Sequence, residues 1–305
     1  MNTANRPPQE TINLFRAAAE LQEKLPYESV TSLTTDAERL FANDADFYES
    51  LTAAVLQTPQ PAESKTAIGL IVGNGYIESI LPELPVDAVT LVDNEPDVHA
   101  WQRFSGRLLL QSDGVVSYRK GVQADASAFG QDLNRIAEKN SWARINRYHY
   151  EQKPWDYPVP ILQNINLHSI DGYHFLADED RFKRCQEAYA RTPLTYATAD
   201  ISDSEKMGRI GQSIREANGE ITYMNLTNVV EYIISEKRWE GYQQALGALP
   251  LHDNVFIAYS SCTVMRNDEY AGSTTPPPAL WTQGLQSYLD FCKATPHPMF
   301  GSYRS

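Results

Sequence analysis

Long apolar runs are missing from this chain. No stretch approaches the roughly 20 apolar residues that a membrane-spanning helix needs. The mean hydropathy of −0.44 agrees, so a membrane protein is not expected. Met1 to Glu20 lacks the charged segment, apolar core and small-residue cleavage site of a secretion signal. The reading is therefore a mature chain that starts at Met1 and stays in the cytoplasm, with export by other machinery left open. Cysteine is scarce: Cys185, Cys262 and Cys292 are odd in number and far apart. That pattern suits buried, reduced thiols and not a disulfide framework. Positive charge is in short supply, with 26 Lys and Arg against 39 Asp and Glu and a net charge of −13. The bases form no cluster, so a phosphate backbone would be repelled and nucleic acid is not an expected partner. Two motifs are absent as well. Without G-x-x-x-x-G-K-[ST] or G-x-S-x-G, neither a P-loop nucleotide triphosphatase nor a serine hydrolase is supported.

What remains is a globular α/β pattern in 305 residues, enough for one large domain with additions. Gln9 to Lys24 and Asp36 to Leu56 carry apolar residues at helical spacing. Gln57 to Lys65 has no period and reads as a link, so residues 1–60 are expected to form an N-terminal helical cap. Ala67 to Val72 is a continuous apolar run stopped by Gly73-Asn74-Gly75, as expected of a strand buried on both faces. Val86 to Asp93 is a second such strand, and Tyr76 to Leu84 between them has room for a short crossover helix. A second strand–helix–strand unit runs from Leu194 through Glu205–Ala217, stopped by Asn218-Gly219, to the strand EITYMNLTNVV. An amphipathic helix, Glu236 to Leu249, and a fifth strand, Asn254 to Ser261, come next, and Leu280 to Phe291 looks helical. Residues 95–193 are too many for one crossover, so an insertion holding helices such as Asp178 to Arg191 is expected between the second and third strands. The expected fold is thus a doubly wound, mostly parallel, Rossmann-like sheet over residues 61–305.

The chemistry concentrates at Ile68 to Glu78. Gly73 and Gly75 let the backbone turn tightly and approach a ligand, and the next helix points N–H groups and its positive dipole end there. About twenty residues on, Asp93 ends the second strand, where a carboxylate can accept from a ribose hydroxyl pair. The dinucleotide pattern fails because its third glycine position is Glu78, whose side chain would obstruct helix–strand packing and face a pyrophosphate with negative charge.

With a glycine turn in VGNGYIE, an acidic strand end in TLVDNE and a further Asp in TADISD, the chain resembles the class I S-adenosylmethionine-dependent methyltransferases over roughly residues 66–261. It also resembles uncharacterised bacterial methyltransferase-like proteins with a comparable Leu-(Ser/Thr)-Asn strand end and a segment like HFLADEDRF. The resemblance implies S-adenosylmethionine as cofactor, with Gly73 and Gly75 receiving its methionine part, Asp93 its ribose and Asp200 its adenine. The fourth strand end, Asn225-Leu226-Thr227-Asn228 with Glu231-Tyr232, corresponds to the polar segment near substrate in that family. It lacks Asn-Pro-Pro-Tyr, the sequence of enzymes that modify nucleic-acid amines.

Methyl transfer asks the protein mainly to align donor and acceptor and to accept a proton where needed. Glu231, Tyr232, His168 and His174 are candidate bases, and Thr227 or Asn228 is placed to orient an acceptor, a small molecule or a protein. The family pattern has an acid at the position of Ile71 and a glycine at Ile77. Those two departures keep open an alternative: a catalytically inactive Rossmann-like module that binds a nucleotide or a protein. His168, Asp171 and His174 do not read as metal ligands, because Gly172 interrupts any helix that would align them. The sequence carries no signal of oligomeric state.

Overall fold

The computed structural model describes residues 54–61, 64–73, 77–94, 96–121, 175–226, 229, 233, 236–259 and 281–294. The expected helical cap lies outside these residues except for its last seven, 54–60.

Strand β1, Thr66–Val72, is buried except at its last residue, which is why its sequence shows no apolar–polar alternation. Strand β2, Ala88–Asp93, runs parallel to it with Ile68 opposite Ala88 and Val72 opposite Val92. Strand β3, Leu194–Thr198, lies beyond β2 and ends with Thr198 opposite Asp93. On the other side of β1 come β4, Gly219–Asn225, with Asn225 opposite Ile71, and β5, Leu251–Ala258, with Ala258 opposite Asn225. A short β6, Trp281–Gln283, pairs antiparallel with β5. The sheet therefore has six strands in the order β3-β2-β1-β4-β5-β6. Leu70, Ile71, Leu91, Ile221 and Phe256 have no exposed surface in it. Burying each such side chain contributes about 1.5–3 kcal/mol, so a charge at any of these positions would oppose folding.

The helices are α1 (Ile77–Ile80), α2 (Pro96–Gln111), α3 (Glu179–Arg191), α4 (Ser204–Glu216), α5 (Glu236–Gly247) and α6 (Leu285–Ala294). Their starts depend on the side chains available. Asp178 accepts from the Arg181 N–H at 2.7 Å and Asp203 from the Lys206 N–H at 3.0 Å, capping α3 and α4. Helix α4 stops where Asn218 takes a left-handed φ of 55°; the sequence places that stop at Asn218-Gly219, and the asparagine carries it. With right-handed crossovers, the chain steps from β1 to β3 in one direction and then returns past β1 to β4 and β5. That reversal assigns α1–α3 to one face of the sheet and α4 and α5 to the other. The contacts agree: α3 packs on α1 and α2, and α4 packs on α5.

The short crossover helix expected within Tyr76–Leu84 is Ile77–Ile80, ending before Pro82, which has no N–H to extend it and whose ring obstructs the preceding turn. Two expectations change. The stretch expected as an insertion from residue 95 begins with α2, which packs on β2, and ends with α3, so both ends belong to the β2–β3 crossover. Its centre, 122–174, lies outside the described residues. Finally, Leu280–Phe291 is not one helix. Gly284, at φ 84°, bonds its N–H to the Val255 carbonyl at 2.9 Å and turns the chain from β6 into α6.

A second, smaller core holds Leu109, Val115, Tyr118, Phe175, Leu176, Phe182 and Cys185. It fastens α2, α3 and the helical stretch beginning at residue 115 to one another. Gly106 leaves the space that the hydroxyl end of the Tyr189 ring of α3 occupies. None of the described helices is long and apolar enough to cross a membrane.

Candidate functional site

Five parallel strands bring their carboxyl ends to one rim, and the order of the strands reverses between β1 and β4 at that rim. Crevices at such a reversal are where open α/β sheets take ligands. Gly73 leaves β1 here with its N–H donating to the Val92 carbonyl at 3.0 Å, one step past the end of the strand. Its φ of 72° lies in the left-handed region, which a side chain disfavours. A Cβ placed on Gly73 would lie 3.7 Å from Asp93 Oδ2. The glycine turn and the acid twenty residues later thus meet at one spot, and the Asp93 side chain is only partly buried.

Asp93 also fixes the loop after β3, because its carbonyl accepts from the Ala199 N–H at 2.8 Å. Next comes Asp200, whose Oδ1 accepts from the Ser202 N–H at 2.8 Å and the Ser202 hydroxyl at 2.7 Å. Its Oδ2 meets Arg238 Nη2 of α5 at 2.9 Å. Partial burial pushes the Asp200 carboxyl upward, yet the Ser202 bonds and the Arg238 charge together outweigh it and hold the group below its usual range. Asp200 is therefore an ionised acceptor at the rim, with a cationic neighbour on one oxygen.

Sequence reasoning missed the groups beneath this rim. Helix α2 turns His99, Gln102 and Ser105 inward, and all three are buried. Their spacing of three places them along one face. Gln102 Nε2 donates to the Gly73 carbonyl at 2.8 Å. His99 Nε2 lies 3.2 Å from the Ala197 carbonyl near the end of β3, and its ring meets Tyr196 edge-on at 5.6 Å. Burial holds the His99 imidazole below its ordinary value, against the Ala197 and Gln102 contacts that favour the proton. Ser105 donates to Glu78 Oε1 at 2.6 Å and sits 2.9 Å from the Tyr118 hydroxyl. Glu78, the residue at the third glycine position, is thus an interior acid bonded to α2, and burial raises its pKa. The signal in the sequence is the i, i+3, i+6 spacing of three polar residues. It is masked there because residue 95 onward reads as part of an insertion.

Of the sequence-derived site residues, the structure brings Gly73 and Asp93 together and places Asp200 on the same rim. Gly75, Thr227, Asn228, Glu231, Tyr232, His168 and His174 lie outside the described residues. Among the described residues, no group of three or more His, Cys, Asp or Glu is arranged to hold a metal ion. The two described cysteines are buried, and burial pushes Cys185 up to about 12 and Cys292 up to about 11, so neither is a thiolate at neutral pH. No protein-family model matches the chain, and the search of curated proteins finds no relative.

Proposed function

We propose that the chain is a Rossmann-like, S-adenosylmethionine-dependent methyltransferase acting on a small molecule or a protein. The observation that carries the reading is the meeting of Gly73 and Asp93 at the carboxyl ends of β1 and β2, beside the strand-order reversal. The fit is local and specific. Gly73 leaves open the space a Cβ would take, so a ligand can approach the backbone next to a partly exposed carboxylate. The bound cofactor would supply a methyl group already activated by its sulfonium. Asp93 would accept from the two ribose hydroxyls, and Gly73 and Gly75 would let the methionine part lie against the turn. Asp200, held ionised, would accept from the adenine edge while Arg238 screens its second oxygen. Asn228, Glu231 and Tyr232 come after β4, the other strand of the reversal. There they would orient the acceptor and take its proton.

One observation favours the second reading, a binding module without transfer activity. Ile71 is fully buried in β1, so no carboxylate stands at the position where the family pattern has an acid. Calorimetric titration separates the cases at the level of the cofactor. Asp93→Ala should weaken binding of S-adenosylmethionine roughly tenfold to hundredfold, the worth of hydrogen bonds to a charged group, and remain folded. Unchanged affinity in the folded variant refutes the ribose assignment. Tight binding with no methyl transfer to any small-molecule or protein acceptor tried favours the module.

A further inference from the structure

We infer that His99, Gln102 and Ser105 are positioning residues that hold the two ends of the ligand turn, Gly73 and Glu78, from beneath, through one polar face of α2. Each of these buried positions on a sheet-packed helix would hold an apolar side chain at lower desolvation cost if packing were all that mattered. Instead, each polar group is spent on the ligand rim. Gln102 takes the Gly73 carbonyl and Ser105 takes Glu78, so α2 grips the chain on both sides of the turn, at 73 and again at 78. His99 takes Ala197, which ties the same helix to the end of β3 two residues before Ala199 bonds to Asp93.

The geometry also fixes which way the Gln102 amide faces. Its Nε2 is committed to the Gly73 carbonyl, so its Oε1 is the atom turned to His99 Nδ1, 3.5 Å away. The carbonyl held by Gln102 sets the plane of the peptide that leaves Gly73. The residue has no Cβ to set that plane by sterics, and its left-handed φ is otherwise one of several that glycine adopts freely. The glycine supplies freedom and Gln102 removes it. A turn whose ends are held in advance lowers the ordering cost at the moment of binding, which raises affinity without adding a ligand contact.

The positioning role takes its ligand from the function proposed above, but its geometry stands without it, and the test separates the two. Hydrogen–deuterium exchange is measured on the full chain and on Gln102→Met and Gln102→Glu. Met keeps the length of the side chain without a donor, and Glu keeps its shape while replacing the donor with an acceptor. Peptides spanning 66–80 should exchange about fivefold to thirtyfold faster in both variants, the factor one or two buried hydrogen bonds are worth. Peptides spanning β5 should be unchanged. S-adenosylhomocysteine, used as the calorimetric probe, should lose affinity in the same order, while the melting midpoint falls by only a few degrees, the worth of about 1–2 kcal/mol in a chain of this size. Unchanged exchange at 66–80, or a rise shared equally by β5, overturns the positioning role. If the Gln102 variants do not fold, Ser105→Ala carries the same exchange test at 77–80. A parent protein that binds no S-adenosylhomocysteine sinks the ligand assignment, and the exchange result then decides the positioning role alone.

Discussion

Glu78→Gln should stabilise the protein, and by an amount that depends on pH. The carboxyl is buried on α1, held chiefly by desolvation above its ordinary 4.5, with the Ser105 bond and its own backbone N–H pulling the other way. In the unfolded chain the same group titrates near its ordinary value. Between the unfolded and the folded pKa, the folded state therefore binds more protons than the unfolded state. Stability contributed at this site is fully present below the unfolded pKa, falls as pH rises through the window above it, and levels off once the folded pKa is passed. Glutamine has nearly the same shape, carries no charge, and can donate to Ser105 Oγ while Ser105 turns its own proton to the Tyr118 hydroxyl, 2.9 Å away. The parent and Glu78→Gln should be nearly equal in stability at pH 4. By pH 8 the variant should lead by about 1–3 kcal/mol, the order of a buried polar group's desolvation penalty. Urea denaturation from pH 4 to 8 measures the difference directly. A stability gap that does not change with pH, or a variant that loses stability as pH rises, refutes the assignment of Glu78 as an interior acid above its usual range.

Gly73→Ala should lose about 1–2 kcal/mol, since its φ of 72° is strained for any side chain although Asp93 leaves room for the methyl group. A melting curve matching the parent would contradict it. Tyr288→Phe strands the Tyr242 hydroxyl, its partner at 2.7 Å in a buried pair, and should cost about 1–3 kcal/mol. Adding Tyr242→Phe should recover part of that loss, so denaturation of the double variant should fall short of the sum of the singles. Arg181→Leu should cost about 1–3 kcal/mol, chiefly the penalty of leaving the buried Ser79 carbonyl without its donor. It removes a buried guanidinium bonded to Glu83 at 2.6 Å and to the Ser79 carbonyl at 2.6 Å, and Glu83 keeps only the exposed Arg184. A loss below 1 kcal/mol by urea denaturation would show that the Arg181 contacts do not hold α3 to α1.

The central strands were legible because burial on both faces leaves an uninterrupted apolar signature, as in AIGLIV of β1. The pairing of Gly73 with Asp93 was legible too, since a strand, a crossover and a second strand fix its spacing. Other features depend on contacts that local sequence does not encode. Strand β6 has three residues, too few to show a period, and exists because β5 offers an edge. Nothing local marks His99, Gln102 and Ser105 as interior residues. Their burial comes from partners far along the chain, Gly73 and Ala197 among them. The resemblance makes Asp200 an acid facing a ligand, and its pairing with Arg238 comes from the packing of α5 against the loop after β3. There Gly241 approaches the Ser202 carbonyl so closely that a Cβ would lie 2.6 Å from it.

Calorimetric titration of the full chain with S-adenosylmethionine and with S-adenosylhomocysteine tests the central claim most directly. One saturable site for each, weakened in a folded Asp93→Ala variant, is the predicted result. A folded protein that binds neither would contradict it.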